Sequence, residues 1–171
     1  MPSPTYVALA KNVLTSSQSS VSFSGISGDY TDLYIVVSPR NTGAVVSEFF
    51  YFTINNDSTG IYSYTSLQST TSSVTSARSV SDPRFIIPYA YPGASATSNT
   101  FGSIEIYIPN YTAAQNRQVS ITAVSETNSA VANNAYILCM AELYRNTTAI
   151  TSIQFNSVSG SYASGSRFDL S

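Results

Sequence analysis

The chain has 171 residues, a formal net charge of −2 and only 9% charged residues. That length suits one domain with a substantial core, and a hydrophobic content of 43% excludes a disordered polar chain despite about fifty Ser and Thr. Lys11 is the only lysine, the arginines are scattered singly, and His and Trp are absent, which argues against a nucleic-acid patch, a Ser-His-Asp triad and a histidine-based zinc site.

No apolar run approaches the ~20 residues of a helical membrane span. Met1-Pro-Ser-Pro-Thr lacks the charged and apolar regions of an export signal, so the mature protein is expected to begin there. Pro2 and Pro4 favour an extended arm over about residues 1–5, suited to docking on a neighbour. A strand is expected over Tyr6–Leu14, then a polar turn at Thr15–Ser20 and a strand at Val21–Phe23. Ser27-Gly-Asp-Tyr30 is turn chemistry, and Asp32–Ser38 reads as the next strand. Phe49, Tyr51 and Thr53 alternate with Phe50, Phe52 and Ile54, the period of a strand. Asn55–Gly60 then reads as a hairpin loop leading into a strand at Ile61–Leu67.

Ser69–Ser76 is Ser and Thr apart from Val74, which predicts an exposed loop. In Arg84–Tyr89 and just beyond, Pro88 and Pro92 predict an edge strand or a bent one. Further strands follow at Ile104–Ile108, Val119–Val124, Tyr136–Tyr144, Ile150–Phe155 and Arg167–Leu170. About ten or eleven short strands between turn signals predict an all-β fold: a single antiparallel β-sandwich domain over 1–171, of jelly-roll type.

Candidate chemistry is sparse. Cys139 lies in the apolar run Tyr136-Ile-Leu-Cys-Met-Ala and reads as a buried, structural thiol. Two carboxylates alone can run a glycosidase, and Glu105 and Glu142, in apolar strand-like runs, are the best placed for a raised pKa. Equally, each fits an outward-facing strand residue or an arginine partner. Asn55, Asn56, Asp57 and Ser58 offer oxygens of the kind calcium takes, yet their spacing fits no calcium-loop pattern. No catalytic residue, metal ligand or cofactor site is assigned.

The 13 tyrosines are the most distinctive feature. Tyr62 and Tyr64 are expected to share one face of a strand, as are Tyr89 and Tyr91. Such pairs build subunit interfaces, stack on sugars, or serve as core with hydroxyls reaching the surface. Low charge favours the interface, so Tyr62, Tyr64, Tyr89, Tyr91, Pro2 and Pro4 are the interface candidates.

Read in order, Tyr6-Val-Ala-Leu-Ala, Val13-Leu-Thr-Ser-Ser17, Val21-Ser-Phe-Ser-Gly-Ile26, Tyr30-Thr-Asp-Leu33 and Val36-Val-Ser38 resemble the opening of small β-rich virion proteins of tailed bacteriophages of marine and freshwater bacteria, including cyanobacteria. Asn55-Asn-Asp57, Tyr62-Ser-Tyr64, Ser98-Asn-Thr-Phe-Gly102, Ile108-Pro-Asn-Tyr111, Ala149-Ile-Thr-Ser-Ile153 and Gly165-Ser before Phe168 continue the resemblance over nearly the whole chain. Members usually run on after the last Phe-x-Leu with a Tyr-Gly pair, whereas Leu170-Ser171 stands here, so a shorter or differently paired closing strand is expected.

The resemblance implies a non-enzymatic virion component made in the bacterial cytoplasm and carried on the particle exterior. One form is a capsid decoration, or cement, protein bound to the major capsid protein, commonly as a dimer or trimer. The alternative is a tail-fibre or adaptor component that contacts host glycans. Neither implies a cofactor, direct nucleic-acid contact or a membrane.

Overall fold

The computed structural model describes residues 6–70, 73–128 and 135–171; the arm with Pro2 and Pro4 lies outside them. The described residues form twelve strands: β1 Ala10–Val13, β2 Ser20–Ser24, β3 Leu33–Ser38, β4 Ser47–Ile54, β5 Tyr62–Ser69, β6 Val74–Asp82, β7 Phe85–Pro92, β8 Ser103–Ile108, β9 Arg117–Ser125, β10 Tyr136–Tyr144, β11 Ser152–Ser157 and β12 Arg167–Leu170. They make two antiparallel sheets packed face to face, an all-β sandwich. The larger runs β1-β12-β3-β8-β9-β10-β5-β6 and the smaller β2-β11-β4-β7.

Alternation decides which side chains meet. The large sheet turns inward an aliphatic set including Ile35, Val37, Ile104, Ile106, Ile121, Leu138 and Met140, all buried. The small sheet answers with Phe23, Phe50, Phe52, Phe85 and Phe155. Phe155 is the hub, its ring centroid 5.4 Å from Phe50, 5.8 Å from Phe52 and 5.4 Å from Phe168. Aromatic pairs at these separations add stabilisation beyond the area they bury.

Four strands cannot cover eight. Edge strand β7 lies against β9, with lesser contact to β10, β5 and β8. Beyond it β6 and the adjoining part of β5 overhang as a wing, and β6 is exposed along most of its length. This is where the sequence-based expectation of a loop at Ser69–Ser76 fails. β5 continues to Ser69, a turn closes with the Thr70 N–H donating to the Ser73 carbonyl at 2.9 Å, and β6 returns from Val74. Exposure on both faces of β6 erases the period-two signal that reveals half-buried strands.

The expected hairpin at Asn55–Gly60 is a corner instead, because β4 and β5 belong to different sheets. Asn55 and Asn56 both adopt positive φ, 52° and 55°, and turn the chain out of the small sheet. Asn55 fixes the corner: its Oδ1 accepts from the Thr151 N–H at 2.9 Å and the Ser152 N–H at 3.1 Å, while its Nδ2 donates to the Ala149 carbonyl at 2.9 Å.

Other expectations divide. The proline-bearing segment is an edge strand and is bent: pairing with β4 shifts register between Glu48 and Phe50, and Tyr89 has φ 51°. The expected long first strand reduces to Ala10–Val13. The closing strand β12 is short but lies inside the large sheet, between β1 and β3.

Arginines tie loops to this frame. Fully buried Arg117 donates to the carbonyls of Asn146 at 2.9 Å, Tyr111 and Thr148 at 3.1 Å each, and Gln115. Arg40 donates to the carbonyls of Thr97 at 2.9 Å, Thr100 at 2.8 Å and Ala96 at 3.2 Å. Gly93 lets two segments touch, since a Cβ there would fall 2.2 Å from the Val45 carbonyl oxygen.

Candidate interaction surfaces

The tyrosine pairs divide between core and border. Tyr62 and Tyr91 are fully buried, which corrects the expectation that they form an interface. Inside, each hydroxyl finds a partner. Tyr62 Oη accepts from the Ile54 N–H at 3.1 Å and donates to the Asp57 carbonyl at 2.8 Å, and burial raises its pKa. Tyr91 Oη accepts from Asn41 Nδ2 at 3.2 Å, and burial pushes its pKa up to about 12. A buried phenol held this way is core with a polar anchor.

Tyr64 and Tyr89 are half-buried against the same core. Nor do Tyr89 and Tyr91 share a face. Positive φ at Tyr89 interrupts the alternation, leaving Ala90 and Tyr91 buried while the Tyr89 ring turns to the side. It lands 4.7 Å from Phe49 and stacks on Tyr136 at 4.8 Å with planes 14° apart. Phe49 in turn lies 6.1 Å from Tyr51, and the Arg84 guanidinium sits 4.9 Å above the Tyr51 ring. Phe49, Tyr51 and Tyr89 thus form a half-buried aromatic shelf at the β4–β7 edge, with the exposed Arg84 beside it. The alternation of β4 signals its outward rings, but the contribution of Tyr89 depends on the bulge.

The second surface is the outer face of the large sheet. β10 turns Tyr136, Leu138, Met140, Glu142 and Tyr144 inward, so Ile137, Cys139 and Ala141 are exposed on the outside. Cys139 is therefore exposed, and the expectation of a buried thiol is corrected: the Tyr136–Ala141 run is apolar on both faces of one strand. Register extends the surface across neighbours. Val124 pairs with Ile137, and Ile137 with Ser69, while Cys139 pairs with Leu67. Beyond β5, Ser69 faces Val74 and Ser63 faces Val80. Among the outward residues of β9, β10, β5 and β6 from these rows, Arg78 alone is charged. An antiparallel sheet normally pairs an apolar inner face with a polar outer one. Contiguous exposed apolar surface marks places where something else packs.

The carboxylates do not converge. Glu105 lies on the exposed outer face of β8, where its proximity raises the Tyr34 pKa, whereas Glu142 is buried on the inner face of β10. Burial, with the charge of Asp82 as a smaller contribution, raises the Glu142 pKa well above the usual carboxyl range. In the Asn55–Ser58 loop Asn55 is committed to the corner, and Asp57 Oδ1 accepts from the Thr59 N–H at 2.9 Å and hydroxyl at 2.6 Å. These bonds hold the Asp57 pKa low.

No protein-family model matches the chain, and no curated protein matches it. Among solved structures, galectin LEC-6 from Caenorhabditis elegans is similar with a TM-score of 0.41 and 10% identity, covering 94% of this chain and 95% of that one.

Proposed function

We propose that this chain is a non-enzymatic virion structural protein of a tailed bacteriophage, a capsid decoration protein that packs on the particle exterior against the major capsid protein. The observation that carries this reading is the exposed apolar outer face centred on Ile137, Cys139 and Leu67. Such a face gains by leaving water, and few charges need desolvating when it docks. Repetition of the contact over a symmetric shell multiplies a modest single-site affinity. The sequence resemblance to small virion proteins supports the same assignment. The separation of Glu105 and Glu142 onto opposite faces favours binding over glycosidase chemistry.

The experiment is occupancy on particles stripped of this protein. Ile137→Glu or Leu67→Glu places a charge on an exposed position, leaving the fold intact and lowering occupancy at least tenfold. Full occupancy by both variants removes this face from the account.

The aromatic shelf favours a second reading, a tail-fibre or adaptor component that stacks host glycan on Tyr51 and Tyr89. Tyr51→Ser then abolishes binding of the isolated protein to host cells while leaving particle occupancy unchanged. Host-cell binding indifferent to Tyr51 excludes this second reading.

A further inference from the structure

We propose that two copies of this chain pair antiparallel along β6, about a two-fold axis midway between the two Ala77 residues, to make one continuous sheet. The free edge of β6 invites pairing because alternate residues direct their N–H and C=O groups away from β5. Other edges carry the usual protection: β7 has Pro88 and Pro92, β1 is four residues long and carries Lys11, and β2 has five residues. β6 spans nine residues without Pro or Lys. Its pairing with β5 is regular from Val74 to Val80, and the irregularity at Tyr62/Ser63 and the positive φ of Ser81 lie just past that window.

The occupant is identified by the strand's own order. About Ala77, Val74-Thr-Ser-Ala-Arg-Ser-Val80 sets Val opposite Val, Thr opposite Ser and Ser opposite Arg. A two-fold axis perpendicular to a sheet keeps outer faces together, so each register must centre on a residue. Centred on Ala77, Val74 meets Val80 of the second copy, Thr75 meets Ser79 and Ser76 meets Arg78. A centre at Arg78 would set two guanidinium groups directly opposite, and a centre at Ser76 would set Val74 against Arg78. The Ala77 register therefore joins apolar to apolar at both ends and opposes no like charges.

Exposure agrees with this choice. Val74 is 68% exposed and Val80 56%, and the neighbouring strands add Leu67 at 55% and Ile137 at 59%. Pairing covers part of the valines and merges two outer faces into one. It is a property of the chain in solution, independent of the virion reading, and its failure would leave particle occupancy untouched.

The test needs no particle: it is the dissociation constant of the purified full chain, measured by analytical ultracentrifugation. Wild type is expected to dimerise. Ser76→Arg puts two arginines opposite each other twice per dimer and weakens association roughly tenfold, whereas Ser76→Glu tightens it several-fold. The double variant Ser76→Arg with Arg78→Glu replaces the like-charge pair with an opposite-charge one and recovers the dimer. Because one single variant must strengthen the dimer, misfolding cannot imitate the full pattern. A monomer at all concentrations overturns the proposal, and so does a dimer indifferent to Ser76→Arg and Ser76→Glu.

Discussion

Glu142 is the residue whose placement has the clearest thermodynamic consequence. It is buried on the inner face of β10, and neither carboxyl oxygen has a hydrogen-bond partner among the described residues. Across β5 it pairs with Tyr64, and the Asp82 charge adds to the burial penalty on ionisation. The folded pKa is raised from an ordinary value of 4.5, so above that pH the unfolded chain releases a proton the folded chain keeps. Stability from this group is complete below about pH 4.5 and is lost as pH rises through the folded pKa, by up to about 1.4 kcal/mol per pH unit. Urea unfolding between pH 4.5 and 7 is expected to show this decline. Glu142→Gln flattens it and stabilises the protein near neutral pH. An unchanged slope in that variant would assign the decline to other groups.

At the scale of elements, the corner between β4 and β5 is held from both sides, by Asn55 toward β11 and by the Tyr62 hydroxyl from β5. Tyr62→Phe keeps the ring and removes the hydroxyl, leaving the Ile54 N–H without its side-chain acceptor. The expected cost is about 1–2 kcal/mol. Faster hydrogen exchange at Ile54 and Asp57, with β8 and β9 unaffected, would locate that cost at the corner; uniform acceleration would place it elsewhere. The alternation that predicts β4, β8 and β9 is legible because each buries one face. β6 was illegible because neither of its faces is covered, and the hairpin expectation failed because local turn chemistry does not reveal which sheet the chain enters next. Spacing placed Tyr62 and Tyr64 on a strand but could not say that their face was the inner one. At Tyr89 a positive φ, which sets the ring against Phe49 and Tyr136, overrode the two-residue period altogether.

For the whole molecule, charge scarcity goes further than composition indicates. Arg40, Arg117 and Arg145 spend their guanidinium groups on backbone carbonyls, and Arg167 pairs with Asp169. Few cations remain to solvate an outer sheet face that already carries Val124, Ile137, Leu67, Val74 and Val80. The apolar run at Tyr136–Ala141 displayed this in the sequence, but a run apolar on both faces reads as buried, whereas the sandwich covers only the inner face of β10. A molecule with one face closed by its own strands and another left apolar is suited to assembly. The most direct measurement of the proposed decoration role is the copy number of this chain per purified phage particle, by quantitative mass spectrometry against the major capsid protein. Decoration predicts a fixed stoichiometric ratio to the capsid lattice. A handful of copies in multiples of three or six, or none at all, would contradict it.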